Sequence, residues 1–190
     1  MIGLDSKTKR TDYNLWRGKL LVRTIMIFPQ FENISVIDNI RKKYDPLSEL
    51  VRPHITLVFP FESEISNDEL AQLLEKRLFG INSFEITLHG FSKKKDRLSS
   101  YLFLNVTKGI DEIRNIHNIL YEHEFKEFDL GYRYVPHMTV GKFSTIQLLE
   151  EAFEDISLNC ELFNTIVDKV SVEMIGKNEE SIITIEKNLA

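Results

Sequence analysis

One six-residue pattern occurs twice in this chain, and it limits both the fold and the chemistry. Pro53-His54-Ile55-Thr56-Leu57-Val58 and Pro136-His137-Met138-Thr139-Val140-Gly141 each set a proline before a histidine and a threonine two residues after it. In an extended strand, residues i and i+2 share a face. Each segment therefore presents an imidazole beside a hydroxyl while its other face enters a core. A fold that opposes two such strands gathers two titratable imidazoles and two hydroxyl donors. That is equipment for acid–base chemistry on a phosphoester.

The order of elements around the two segments also repeats. Leu20 to Phe28 reads as a strand ended by Pro29, and Ile34, Ile37, Ile40 and Tyr44 as a helix stopped by Pro46. The first motif strand is expected from His54 to about Phe59. Ser66-Asn67-Asp68-Glu69 is a capping-box pattern, and Leu70, Leu73, Leu74 and Leu78 form the stripe of the helix it opens, with Gly80 closing it. Phe84, Ile86 and Leu88 then alternate as a strand.

The sequence starts over at Leu102, Leu104 and Val106, which alternate, and Ile110, Ile113, His117 and Leu120 return to helical spacing. The second motif strand begins near His137. Ser144-Thr145-Ile146-Gln147 reads as another capping box, opening a helix with the stripe Ile146, Leu149, Phe153 and Ile156. Val170, Val172 and Met174 alternate, and a last strand, Ile182 to Ile185, follows a polar turn at Lys177 to Glu180.

The two histidines stand 83 residues apart (137 − 54) in the same slot of a unit that runs strand–helix–strand–helix–strand. A pseudo-twofold arrangement of the units puts the motif strands on opposite walls of one cleft. Alternating strands and helices favour an α/β or α+β design with helices covering sheets. The expected organisation is a polar N-terminal arm over residues 1–18, its end pinned by Trp16, followed by a single bilobal domain over residues 19–190. Its lobes, roughly 19–95 and 96–190, share strands.

At 190 residues the chain is long enough to bury a sizeable core. The formal charge of −5 argues against tight, sequence-independent binding of long nucleic acid, which needs many phosphate contacts from Lys and Arg. It leaves room for a local basic pocket. Cys160 is the only cysteine, so no internal disulfide forms, which fits a reducing compartment. Its neighbours Leu158 and Leu162 read it as a buried structural thiol. No apolar run reaches the ~18 residues of a membrane span. Lys7, Lys9 and Arg10 are not followed by the apolar stretch of a secretory signal. The expected location is the cytoplasm, with no membrane partner.

The chemistry follows from the imidazoles. With an unperturbed pKa near ~6.5, histidine accepts or donates a proton at neutral pH. One of two opposed histidines deprotonates an attacking water or hydroxyl while the other protonates the leaving oxygen. The threonine hydroxyls bond the non-bridging phosphate oxygens. This scheme calls for no metal and no cofactor, and His54 and His137 lack the further ligands that zinc sites need. Of the other histidines, His117 reads as a core-edge residue, His123 as solvated and His89 as lining a sheet face.

Arg52, Arg133, Tyr134 and Lys142 flank the motifs as candidates to contact a phosphate or stack on a base. Strand alternation puts Lys142 on the face opposite His137 unless the strand bulges or ends there. Phe59 and Phe61 read as core residues.

At His54 and Thr56, and again at His137 and Thr139, the chain resembles the two-histidine (2H) phosphoesterase superfamily, which includes the 2′-5′ RNA ligase-like proteins and cyclic nucleotide phosphodiesterases. The resemblance spans about residues 20–187. It implies a bilobal α+β fold with the motifs facing across a central cleft. It implies metal-independent chemistry on cyclic phosphates or 2′-5′ linkages of RNA or nucleotides. His54 and His137 are then the acid–base pair, and Thr56 and Thr139 the phosphate ligands. The expected activity is hydrolysis of a 2′,3′-cyclic phosphate or a related cyclic nucleotide phosphodiester, on a small nucleotide or an RNA end. Cleavage or joining of 2′-5′-linked RNA, and a non-catalytic module that binds nucleotides or RNA ends, are the alternatives.

Overall fold

Five consecutive buried residues, Arg23 to Ile27, mark the first strand, β1 (Leu21–Ile27), as one covered on both faces. It is an inner strand. The computed structural model describes residues 21–95, 99–131 and 133–190, so the expected arm and Trp16 lie outside the described residues. After β1 come α1 (Ile34–Tyr44), β2 (Ile55–Ser63), α2 (Asn67–Arg77), β3 (Phe84–Lys95), β4 (Ser100–Lys108), α3 (Ile110–Tyr121), β5 (His137–Phe143), α4 (Ile146–Ile156), β6 (Phe163–Val167), β7 (Lys169–Ile175) and β8 (Ser181–Asn188).

The strands form two four-stranded antiparallel sheets, ordered β2-β1-β7-β8 and β5-β4-β3-β6. The orders are equivalent position by position, with a motif strand at one edge of each sheet. The sheets also exchange strands. β3 follows α2 in the first half of the chain but pairs with β4 of the second, and β7 of the second half pairs with β1 of the first. The architecture is α+β, bilobal and pseudo-twofold. The helices cross over as well: α1 packs against β5, and α3 against β2.

Local chemistry accounts for the ends. Ser66 Oγ accepts from the Glu69 amide and the Glu69 carboxylate accepts from the Ser66 amide, which closes the capping box of α2. At α4 the cap is Thr145, whose hydroxyl accepts from the Leu148 amide, so the expected Ser144 cap moves by one residue. β2 runs past the expected stop at Phe59 and through Pro60. An edge strand tolerates proline because its outward N–H has no ladder partner to lose.

Two further expectations change. β6 was not foreseen: its apolar residues Phe163, Ile166 and Val167 are spaced as on a helix, and only Phe163 and Val167 are buried. The chain therefore adds two strands after the repeat, not one. Cys160 is exposed, as are Leu158 and Leu162, because all three lie in the connection from α4 to β6 and not under a sheet. Among the described residues no helix is long and apolar enough to cross a membrane.

The crossing of α1 over β5 depends on Gly141. A Cβ there would lie 2.9 Å from the Phe143 ring and 3.1 Å from Tyr44 Cβ of α1. Gly141→Ala is expected to lower stability by about 1–3 kcal/mol through overpacking. Urea unfolding checks this; an unchanged midpoint would mean that α1 yields without cost.

Candidate active site

Both motif strands show the alternation that their sequences demand. In β2, Ile55 and Leu57 are fully buried while His54 and Thr56 are half-buried; in β5, Met138 and Val140 are fully buried while His137 and Thr139 are half-buried. Pro53 and Pro136 are both buried at the strand entries. The two strands approach each other across the sheets. The imidazoles are close enough that the charge of His137 lowers the pKa of His54.

The rings are held in the same way. His54 Nδ1 lies 2.8 Å from the Arg52 carbonyl oxygen, and His137 Nδ1 lies 2.7 Å from the Val135 carbonyl oxygen. A carbonyl can only accept, so each Nδ1 carries the hydrogen and donates it. This fixes both neutral tautomers with Nε2 as the free base. Each ring is thus tied to the carbonyl two residues before it, and only Nε2 is left for chemistry.

The strands share a one-residue bulge just after the threonine. Against β1 the partners step from Met26–Thr56 to Ile25–Val58; against β4 they step from Phe103–Thr139 to Leu102–Gly141. The extra residue resets the alternation. In β5 the reset pairs Lys142 with Tyr101, so Lys142 shares the face of Thr139 and His137. The Lys142 ammonium stands 6.0 Å from the Tyr101 ring.

Aromatic rings support each imidazole. Phe103 stacks on His137 at 3.7 Å between centroids and 28° between planes, and Tyr101 stacks on Phe103. Phe28 is tilted against His54 at 5.9 Å, and the exposed Arg52 guanidinium stands over the Phe28 ring, 4.6 Å from its centroid. Arg133 is exposed on the loop before β5. The fourth flanking candidate, Tyr134, points its hydroxyl away from solvent and donates it to the Thr56 carbonyl at 2.7 Å.

Burial is the main cause that pushes the pKa of both His54 and His137 below 6.5. For His54 the Arg52 carbonyl opposes the shift, while Arg41 adds to it and Asp45 offsets it. For His137 the Val135 carbonyl opposes it and Lys94 adds to it. Both rings are therefore mainly neutral at pH 7 in the free protein. Among the described residues no three His, Cys, Asp or Glu side chains are grouped to hold a metal ion.

The loop that delivers His54 rests on an ion pair. Arg41 is almost fully buried; its Nε donates to Asp45 Oδ2 at 2.9 Å and its Nη1 to the Val51 carbonyl at 2.8 Å, while Asp45 Oδ1 accepts from the Leu47 amide. Of the remaining histidines, His117 donates Nδ1–H to the Leu57 carbonyl at 2.7 Å, His89 bonds the Glu161 carbonyl at 3.2 Å and His123 is exposed. Phe61 is buried as expected, and Phe59 is half-buried. A hollow on α2 lined by Ala71, Gln72, Glu75, Lys76 and Phe79 contains neither motif.

Sequence reasoning missed Phe28, Phe103, Arg41 and Asp45. The first two carry a signal of their own, since Phe103 lies on β4 and Phe28 directly follows β1, the strands that pair with the motif strands.

The model of the 2′-5′ RNA ligase superfamily matches residues 28–177, which include both motifs. The chain belongs to the 2′-5′ RNA ligase superfamily. It is 23% identical over 167 residues to a Staphylococcus aureus (strain JH1) protein named "Putative phosphoesterase", covering 87% of this chain and 97% of that protein. Its fold is similar to that of Escherichia coli LigT solved with 3′-AMP, with a TM-score of 0.67 and 14% identity over 90% of this chain and 99% of LigT. Kluyveromyces marxianus Usb1 solved with uridine monophosphate is more distant, with a TM-score of 0.50 and 9% identity over 89% of this chain and 98% of Usb1.

Asp45→Ala leaves the Arg41 guanidinium buried without its carboxylate. The expected loss is about 3–5 kcal/mol of stability, read by denaturant unfolding. Arg41 Nη2 also donates to the Leu47 carbonyl at 3.4 Å, and a loss under about 1 kcal/mol would mean that the Val51 and Leu47 carbonyls alone satisfy the guanidinium.

Proposed function

We propose that this protein is a metal-independent phosphodiesterase that opens 2′,3′-cyclic phosphates on small nucleotides or RNA ends. The observation that carries the reading is the matched tethering of His54 and His137, each with Nδ1–H on a carbonyl and Nε2 free. Neutral Nε2 of one histidine takes a proton from water as the oxygen attacks phosphorus. The imidazolium of the other gives its Nε2 proton to the ribose oxygen as that P–O bond breaks. The product is a nucleoside monophosphate, and the two imidazoles end with their protonation states exchanged. Thr56 and Thr139 donate hydroxyl hydrogens to the non-bridging oxygens.

Arg52, Arg133 and Lys142 supply the positive charge around the phosphate, and Lys142 reaches the site because of the bulge in β5. LigT has been solved with 3′-AMP, ATP, NADP+ and phosphate, and Usb1 with uridine monophosphate. These ligands of similarly folded proteins support a small nucleotide as the ligand of the site proposed here.

Phosphorus NMR with nucleoside 2′,3′-cyclic monophosphates in EDTA is the direct test. Wild type is expected to open the ring, with His54→Ala and His137→Ala each slower by about 10²–10⁴-fold. Turnover that survives either change sinks the proposal. No turnover by wild type would favour 2′-5′-linked RNA or a binding role.

The pH profile is a second test. The active form holds one neutral and one protonated imidazole, so its population peaks between the two pKa values. Both lie below 6.5, so kcat/KM is expected to peak on the acid side of pH 6.5. Bound phosphate favours the imidazolium and moves the kcat profile to higher pH. A kcat/KM that keeps rising above pH 7.5 would contradict this pairing.

A further inference from the structure

Three side chains close on the backbone of β2 from the second half of the chain. The Tyr134 hydroxyl donates to the Thr56 carbonyl at 2.7 Å, His117 Nδ1 to the Leu57 carbonyl at 2.7 Å, and the Phe59 amide donates to the Tyr121 hydroxyl at 3.0 Å. The rings brace one another: Tyr134 stacks on His117 at 3.7 Å with 6° between planes, and Tyr121 is tilted against His117 at 4.6 Å. Among the described residues no equivalent set serves β5, whose neighbour Tyr44 instead donates its hydroxyl to Asp155.

Tyr134 has a special place in this set. It immediately precedes Val135, whose carbonyl holds His137. A short path therefore runs from Thr56 through its carbonyl to the Tyr134 hydroxyl, along one peptide to Val135, and on to His137 Nδ1. The corresponding residue in the first half, Val51, precedes Arg52 and is anchored by Arg41 from its own half. The Tyr134 hydrogen bond thus joins one motif strand to the loop that leads into the other.

We propose that Tyr134 is a positioning residue that sets the span between the Thr56 hydroxyl and the His137 imidazole. This rests on the phosphodiesterase reading of the same site. The Tyr134 ring is partly buried and stacked on His117, and from that support its hydroxyl holds the Thr56 peptide at a fixed distance from the loop that carries His137. The transition state needs both groups on one phosphate, and a misplacement of about 1 Å costs up to about 10²-fold in rate.

The test is a double-mutant cycle of wild type, Tyr134→Phe, Thr56→Val and the pair. Phenylalanine keeps the ring stack and removes only the bond. Tyr134→Phe is expected to lower kcat about tenfold with KM within about twofold, while the melting temperature falls by only a few degrees. In the Thr56→Val background the same change is expected to alter kcat less than twofold, because the hydroxyl it positions is gone. An equal loss in both backgrounds, or no loss in wild type, overturns the role.

The same four proteins titrated with inorganic phosphate, read at the histidine Hε1 resonances, give a result without turnover. Tyr134→Phe is expected to weaken phosphate about threefold in wild type and not at all in Thr56→Val. Coupled binding with no turnover of any cyclic phosphate overturns the phosphodiesterase reading and leaves the positioning role standing. Turnover with uncoupled binding and uncoupled rates overturns the positioning role alone. An absence of any phosphate-induced shift at either histidine overturns both.

Discussion

The exchange of strands between the sheets is the constraint on which the rest of the molecule depends. β1 needs β7 as its inner neighbour, and β4 needs β3, so each sheet is completed only by the other half of the chain. The backbone pairing of Arg23 with Met174 joins positions near opposite ends of the described chain. Such long-range pairings form late and slowly, because the loop they close is large. Once formed, they leave neither sheet free to shift alone, and the two motif strands inherit a fixed relation.

Within that frame the pseudo-twofold is kept around the two motif histidines and relaxed elsewhere. Both imidazoles are tethered by Nδ1 to the carbonyl two residues back, and both strands carry the same bulge. The supports differ. His137 is stacked on Phe103, whereas His54 is only tilted against Phe28. One lead-in loop hangs on the buried Arg41–Asp45 pair, and the other on a tyrosine that reaches across to the opposite strand. Two chemically equal imidazoles thus sit in unequal surroundings, and unequal surroundings set pKa values apart.

The elements and the motifs were legible because their signals are local. Alternation in β2 and β5, the stripe of α2 and the Ser66–Glu69 capping box each depend on residues within a few positions. What stayed hidden depends on partners distant in sequence. The place of Lys142 follows from a bulge defined only against β4. Arg41 and Asp45, four residues apart, are buried through the loop that follows them, whose Leu47 and Val51 backbone groups they bond. Tyr134 looks like any aromatic beside a motif; its hydrogen-bond partner is Thr56, on another strand. β6 was lost for the opposite reason, since a locally helical spacing was overruled by the sheet edge it completes.

The bulge after each threonine has an evolutionary meaning. Side chains in a strand change faces with every residue gained or lost. Downstream of the bulge, Lys142 faces the site and Phe143 faces the core only because one residue is already in excess. Loss of that residue would turn a lysine inward and a phenylalanine outward. Exchange of one side chain for another keeps every face of these strands, whereas a change of length does not.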